Sequence, residues 1–122
     1  MPTPRETAEA FSGHRFRDAY DALAGDVSWT AVGEGVVTGR QSVIDACEAT
    51  LADLASTTVE VTRSVVAADP GGRAVAVDVV ARYVDEDGST SVVSSCDIYE
   101  FEDGQVTAIT SYAVELDATA GT

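Results

Sequence analysis

The run Ser95-Cys96-Asp97-Ile98-Tyr99-Glu100-Phe101-Glu102-Asp103-Gly104 decides the fold. It is a strand pattern ending in Asp-Gly, the preferred occupant of a two-residue hairpin turn with positive φ at both central positions. A second such step, Asp87-Gly88, precedes it. Each turn fixes a register. Taken as a whole two-residue loop, Asp87-Gly88 pairs Glu86 with Ser89 and, counting outward, sets Asp78 across from Asp97. Asp103-Gly104 likewise pairs Phe101 with Val106, Asp97 with Thr110 and Ser95 with Tyr112. Side chains alternate faces along a strand. Asp78, Val80, Arg82, Val93, Ser95, Asp97, Tyr99, Phe101, Val106, Ala108, Thr110, Tyr112 and Val114 are therefore expected on one face. That face combines aromatic bulk with a few polar groups, as a lined pocket does.

Upstream of these hairpins, Thr3-Pro4-Arg5-Glu6 reads as a helix start, with Thr3 as N-cap, Pro4 at the first position and Glu6 three after the cap. This helix should stop near Ser12-Gly13. A second short helix is expected from the spacing of Phe16, Ala19, Tyr20 and Leu23, closed by Gly25. Asp26 to Val32 reads as a strand, Gly33-Glu34-Gly35 as a turn and Val36 to Thr38 as its partner strand. A longer helix follows from about Arg40 to Leu54, with Val43, Ile44, Cys47, Leu51 and Leu54 on one stripe. A strand from about Thr57 to Ala68 then turns at Asp69-Pro70-Gly71-Gly72 into the two hairpins, giving a four-stranded antiparallel meander. Helices first and strands after define an α+β domain.

The other face of the meander would carry Val75, Val77, Val79, Val92, Cys96, Ile98 and Ile109. An antiparallel sheet normally leaves one face to water. Two apolar faces imply that helices close one and a second copy closes the other, a homodimer packed sheet on sheet.

With 122 residues the chain is expected to be one domain over 1–122, its ordered core about 5–116 and its C-terminal tail 117–122 flexible. Twelve Asp and nine Glu against seven Arg and no Lys give a net charge of −14, which argues against nucleic acid or an anionic membrane as partner. The acids are scattered rather than run together, so the charge reads as a general surface property. Cys47 and Cys96 have no metal-site or disulfide-scaffold spacing and read as reduced packing thiols. With one histidine, His14, no metal site is expected. There is no dinucleotide fingerprint, phosphate loop or Ser-His-Asp set, so no cofactor is expected either. No apolar run reaches membrane-spanning length and no targeting signal opens the chain, which points to the cytoplasm.

Three stretches in order carry a family resemblance: Ala24-Gly25-Asp26-Val27-Ser28-Trp29, Thr38-Gly39-Arg40-Gln41-Ser42-Val43-Ile44, and Cys96 through Val106. From about Thr7 to Glu115 the chain resembles the SnoaL-like branch of the nuclear-transport-factor-two-like superfamily. The resemblance implies a cone, in which a strongly curved antiparallel sheet wraps the N-terminal helices and one long helix around an internal pocket, with dimerisation through the convex face. It also implies a menu of activities: isomerase, epoxide hydrolase, cyclase, dehydratase, or ligand binding without catalysis. The isomerase Asp position falls on Thr30 or Ala31, neither a base, while the epoxide hydrolase Arg-x-Asp reads Ser95-Cys96-Asp97 here. Asp97 is the acid that matches.

The expected catalytic set is therefore Asp97 with Asp78 and Tyr112, and the expected substrate contacts are Tyr20, Trp29, Ser95, Tyr99 and His14. Two carboxylates facing each other in a dry hollow repel, so one of such a pair can hold a proton near neutrality and exchange it. A phenol beside them could donate to a developing oxyanion. Together these residues imply cofactor-free proton transfer on a small apolar organic molecule. The competing reading is a noncatalytic binding or dimerisation module in which Asp97 and Tyr112 merely satisfy each other.

Overall fold

Helix α1 (Pro4–Ser12) starts where two backbone N–H groups find side-chain acceptors: Glu6 N–H donates to Thr3 Oγ1 at 3.1 Å and Thr3 N–H to Glu6 Oε1 at 2.9 Å. This reciprocal box satisfies donors that a helix start otherwise leaves open. The helix ends in a tight reversal. Arg15 N–H reaches Ala10 O at 2.8 Å and His14 N–H reaches Phe11 O at 3.2 Å, a paired closure whose pivot usually is glycine. Here the pivot is His14, with φ 64°, and Gly13 sits one position early.

The computed structural model describes residues 2–116; the expected flexible tail 117–122 lies outside the described residues. Two single 3₁₀ turns, Phe16–Asp18 and Tyr20–Ala22, replace the expected second helix. The helical spacing of Phe16, Ala19 and Leu23 reflects three anchors dropped into the core, and Gly25 lies inside a strand rather than closing a helix. After β1 (Leu23–Ala31) and β2 (Gly35–Thr38) comes α2 (Arg40–Asp53). Then follow β3 (Thr58–Ala68), β4 (Ala74–Val84), β5 (Thr90–Glu102) and β6 (Gln105–Leu116). The strands form one curved, unclosed sheet in the order β2-β1-β6-β5-β4-β3, antiparallel except where β1 runs parallel to β6. The expected α+β cone is thus present, with a mixed rather than wholly antiparallel sheet.

The inner face of the sheet closes on α1, the 3₁₀ turns and α2. Its core joins Ala8 and Phe11 of α1, Phe16 of the first 3₁₀ turn, Val43 and Cys47 of α2, and Val75, Val77, Tyr99, Phe101, Val106 and Ile109 of the sheet. Phe11 is the hub. Its ring meets Phe16, Trp29 and Tyr99 edge to face at centroid distances of 4.9, 5.0 and 5.8 Å. Such pairs are worth about 0.5–1.5 kcal/mol beyond the area they bury.

Both registers around β5 differ from the sequence expectation by one residue. Between β4 and β5, Asp85 N–H donates to Ser89 O and Gly88 N–H to Asp85 O, so the loop is Glu86-Asp87-Gly88, with Gly88 alone at positive φ. The extra residue pairs Asp97 with Val77, and Asp78 with Cys96. At the other turn Asp103 and Gly104 both have positive φ, the expected two-residue form, and Phe101 does pair with Val106. A bulge at Thr107 then adds one residue to β6, so Asp97 pairs with Ser111, Ser95 with Ala113 and Cys96 with Tyr112. A one-residue slip turns every later side chain over. Asp78, Val80, Arg82, Ala108, Thr110, Tyr112 and Val114 therefore leave the face that Asp97 occupies, while Val75, Val77, Val79 and Ile109 join it.

Replacing Thr3 by Ala removes one half of the helix-start box. Urea unfolding should show a loss of about 1 kcal/mol with unchanged slope; an unaltered midpoint would mean that the box does not form in solution.

Candidate functional site

Between the sheet's inner face, the end of α1 and the C-terminal half of α2 lies a cavity of about 470 Å³. Its walls are mostly apolar: Phe11 and Phe16 at one end, Leu51 of α2 and Leu54 just past its end, and Val59, Val61, Val79, Ala81 and Val93 of the sheet. The polar groups are Ser12, His14, Trp29, Thr50, Thr57, Tyr83, Ser95, Asp97 and Ser111. Asp97 is the one carboxylate among them, and no Arg lines the cavity among the described residues.

Helix α1 fixes that carboxylate. Ala8, Phe11 and Ser12 share a helical stripe, so burying Phe11 turns Ser12 toward the sheet. Ser12 Oγ donates to Asp97 Oδ2 at 2.7 Å. The Tyr99 hydroxyl lies 2.5 Å from Ser12 Oγ, and with the serine proton committed to Asp97 the phenol is the donor there. A longer contact of 3.5 Å runs directly from the Tyr99 hydroxyl to Asp97 Oδ2. Both contacts to Asp97 fall on Oδ2. Oδ1 has no hydrogen-bond partner among the described residues. Tyr99 is fully buried, and burial, with the neighbouring Asp97 charge, holds its phenol well above the usual tyrosine range.

His14 and Tyr83 form the aromatic rim, their rings 6.1 Å apart, with Phe16 5.6 Å from the imidazole. Partial burial lowers the His14 pKa from its ordinary 6.5, and the Asp97 charge pulls weakly the other way. Tyr83 is pushed up by burial and by Asp97. Deeper in, Trp29 Nε1 donates to Ser111 Oγ at 2.9 Å, which locks the indole against the wall. The resulting array holds a carboxylate, a neutral imidazole and a buried phenol-serine relay, all of which can accept or pass a proton.

The structure sorts the expected site residues into three places. Asp97, His14, Trp29 and Ser95 line the cavity; Tyr99 stands behind it as a support rather than a contact. Tyr20 is directed elsewhere, its hydroxyl donating to Glu48 Oε2 at 2.6 Å beside the Arg17–Glu48 ion pair. Those two bonds, Arg17 first, bring Glu48 down to about 2. Asp78 and Tyr112 are on the outer face, Asp78 bound by Arg63 at 2.7 Å and Tyr112 exposed. The expected facing carboxylate pair does not form, because the three-residue loop at Glu86-Asp87-Gly88 shifts β4 by one. Sequence reasoning missed Ser12 and Tyr83. Ser12 was discoverable from its place on the Ala8–Phe11 stripe; Tyr83 was not, since its face depended on the register.

Both cysteines are free: Cys47 is buried in α2, where burial raises its thiol to about 12, and Cys96 lies half-buried on the outer face. Among the described residues no group of three His, Cys, Asp or Glu is placed to hold a metal, and no helix is long and apolar enough to cross a membrane.

The curved α+β cone matches the fold of the NTF2-like proteins. One of them, a protein of unknown function from Cytophaga hutchinsonii, superposes with a TM-score of 0.74 at 29% identity, covering 88% of this chain and 93% of its own. The SnoaL-like domain pattern matches residues 5–109, and the chain belongs to that family. It is also similar in fold to an inferred polyketide cyclase from Xanthomonas campestris pv. campestris (TM-score 0.69, 24% identity, 90% and 92% of the two chains). A third structural relative is SalBIII, an epoxide hydrolase/cyclase-like enzyme of pyran ring formation in the polyether salinomycin (TM-score 0.67, 18% identity, 91% and 90%). No curated protein matches the sequence.

The His14 environment has a measurable sign. An imidazole whose pKa is lower folded than unfolded is under-protonated in the native state below the unfolded value. Its contribution to stability is therefore complete above pH 6.5 and is lost as the pH falls from there through the folded pKa. As the sole histidine it can be titrated by NMR without assignment, and its midpoint should lie below 6.5. Asp97→Asn should lower it further, since the Asp97 charge favours the imidazolium; a midpoint that rises in that variant would contradict the arrangement.

Proposed function

We propose that the cavity binds a small, largely apolar organic molecule and that Asp97 transfers a proton to or from it without a cofactor. The observation that carries this reading is a carboxylate in an apolar hollow, the one among the described residues, held at Oδ2 by Ser12, which Tyr99 in turn supports, with no described residue engaging Oδ1. A base fixed at one oxygen and open at the other is oriented before the substrate arrives, which is how positioning lowers a barrier. The neutral His14 imidazole at the rim supplies a second proton-handling group for the substrate oxygen, and Trp29 and Ser95 contact the bound molecule. The chemistry lies within the family range of cyclisation, isomerisation, dehydration or epoxide opening. It uses one acid rather than an Asp78–Asp97 pair, and Tyr112 takes no part.

The test starts from a ligand that co-purifies with the protein, identified by native mass spectrometry. Wild-type protein should convert it, and Asp97→Asn, saturated with it, should lose on the order of 10²-fold or more in rate. Equal turnover by both forms would remove Asp97 from the chemistry. Return of the ligand unchanged by wild-type protein would favour the binding module.

We also propose that two copies associate through the outer sheet face, where Val65, Ile98, Tyr112 and Val114 are exposed around the Arg63–Asp78 ion pair. Light scattering at high protein concentration should report a dimer that Tyr112→Asp converts to monomer with the cavity intact; a monomeric wild type would contradict the interface.

A further inference from the structure

Among the described residues Asp97 is the one carboxylate lining the cavity, and no Arg or Lys lines it to compensate that group. Arg15 lies across the Gly13–His14 reversal and lines two smaller clefts outside this cavity. Being exposed, it is screened by solvent. The cavity that holds the carboxylate is also lined by the aromatic rings of Phe11, Phe16 and Trp29, with Tyr83 and His14 at its rim. Ring faces carry partial negative charge, and a carboxylate among aromatic rings is complementary to an organic ammonium group. The net charge of −14 adds a long-range field of the same sign, drawing cations in and turning anions away.

We propose that the ligand of this cavity is an organic cation: an amine with an apolar or aromatic skeleton, its ammonium group donating to Asp97 Oδ1 while the skeleton packs on Trp29, Tyr83 and Leu51. The proposal rests on the cavity being the ligand site, as argued above, and names the ligand's chemical class. It places the ligand's N–H protons at Oδ1, the oxygen to which the proposed proton transfer is assigned. It also excludes carboxylated and phosphorylated substrates, for which the cavity offers no cation.

A matched series of phenylbutylamine, phenylbutanol and phenylbutyrate differs only in the terminal group. Binding can be read from Trp29, the sole tryptophan and part of the cavity wall. The amine should bind about tenfold or more tighter than the alcohol, and the carboxylate should not bind measurably. In Asp97→Asn the amine's advantage should shrink to within about twofold, which separates the local carboxylate from the overall charge. Equal affinity of amine and alcohol in the wild type, or an amine preference that survives Asp97→Asn, overturns the proposal while leaving the cavity as an apolar ligand site. Failure of all three to bind at millimolar concentration overturns the cavity reading as well.

Discussion

Strand β5 is held between two neighbours whose registers each contain one residue more than a flush hairpin, and that constraint decides what the cavity can do. On the β4 side the extra residue sits in the Glu86-Asp87-Gly88 loop; on the β6 side it is the bulge at Thr107. Asp97 itself points inward, as its own strand pattern dictates. Its cross-strand companions are Val77 and Ser111 instead of Asp78 and Thr110. Among the described residues the result is a single carboxylate among hydroxyls and hydrocarbon. Asp78, one position along β4, lies on the outside and satisfies Arg63.

The site follows from that sorting together with the closure of α1. Phe11 cannot enter the core without bringing Ser12 to the sheet, and Ser12 ties Asp97 Oδ2 to the buried Tyr99. The same helix ends on His14 in a left-handed conformation, which for a side chain other than glycine costs on the order of 1 kcal/mol or more. Gly13 stands next to the position that would have avoided this cost. The imidazole that results lies on the cavity rim with Tyr83, where a ligand would pass. Packing, capping and strain thus converge on one end of the cone.

Most of the fold was legible because its signals are local. The Thr3–Glu6 box, the Val43–Cys47–Leu51 stripe and the Asp103-Gly104 turn each act over a few residues, and each appears as the sequence implied. The site was less legible because face assignment accumulates over a whole strand. Asp-Gly at Asp87-Gly88 is compatible with both a two-residue and a three-residue loop, and nothing around Thr107 announces a bulge. Errors of one residue therefore placed Asp78 and Tyr112 inside, whereas Asp97, Ser95 and Trp29 line the cavity. Tyr20 was misplaced for a different reason: its helix-like spacing hid two 3₁₀ turns that direct its hydroxyl to Glu48.

The register of β5 is open to direct measurement by cross-strand nuclear Overhauser effects on labelled protein. The account predicts contacts of the Asp97 backbone with Val77 on one side and Ser111 on the other, and of Cys96 with Asp78 and Tyr112. Contacts of Asp97 with Asp78 and Thr110 would put two carboxylates back in the cavity and contradict the single-acid site.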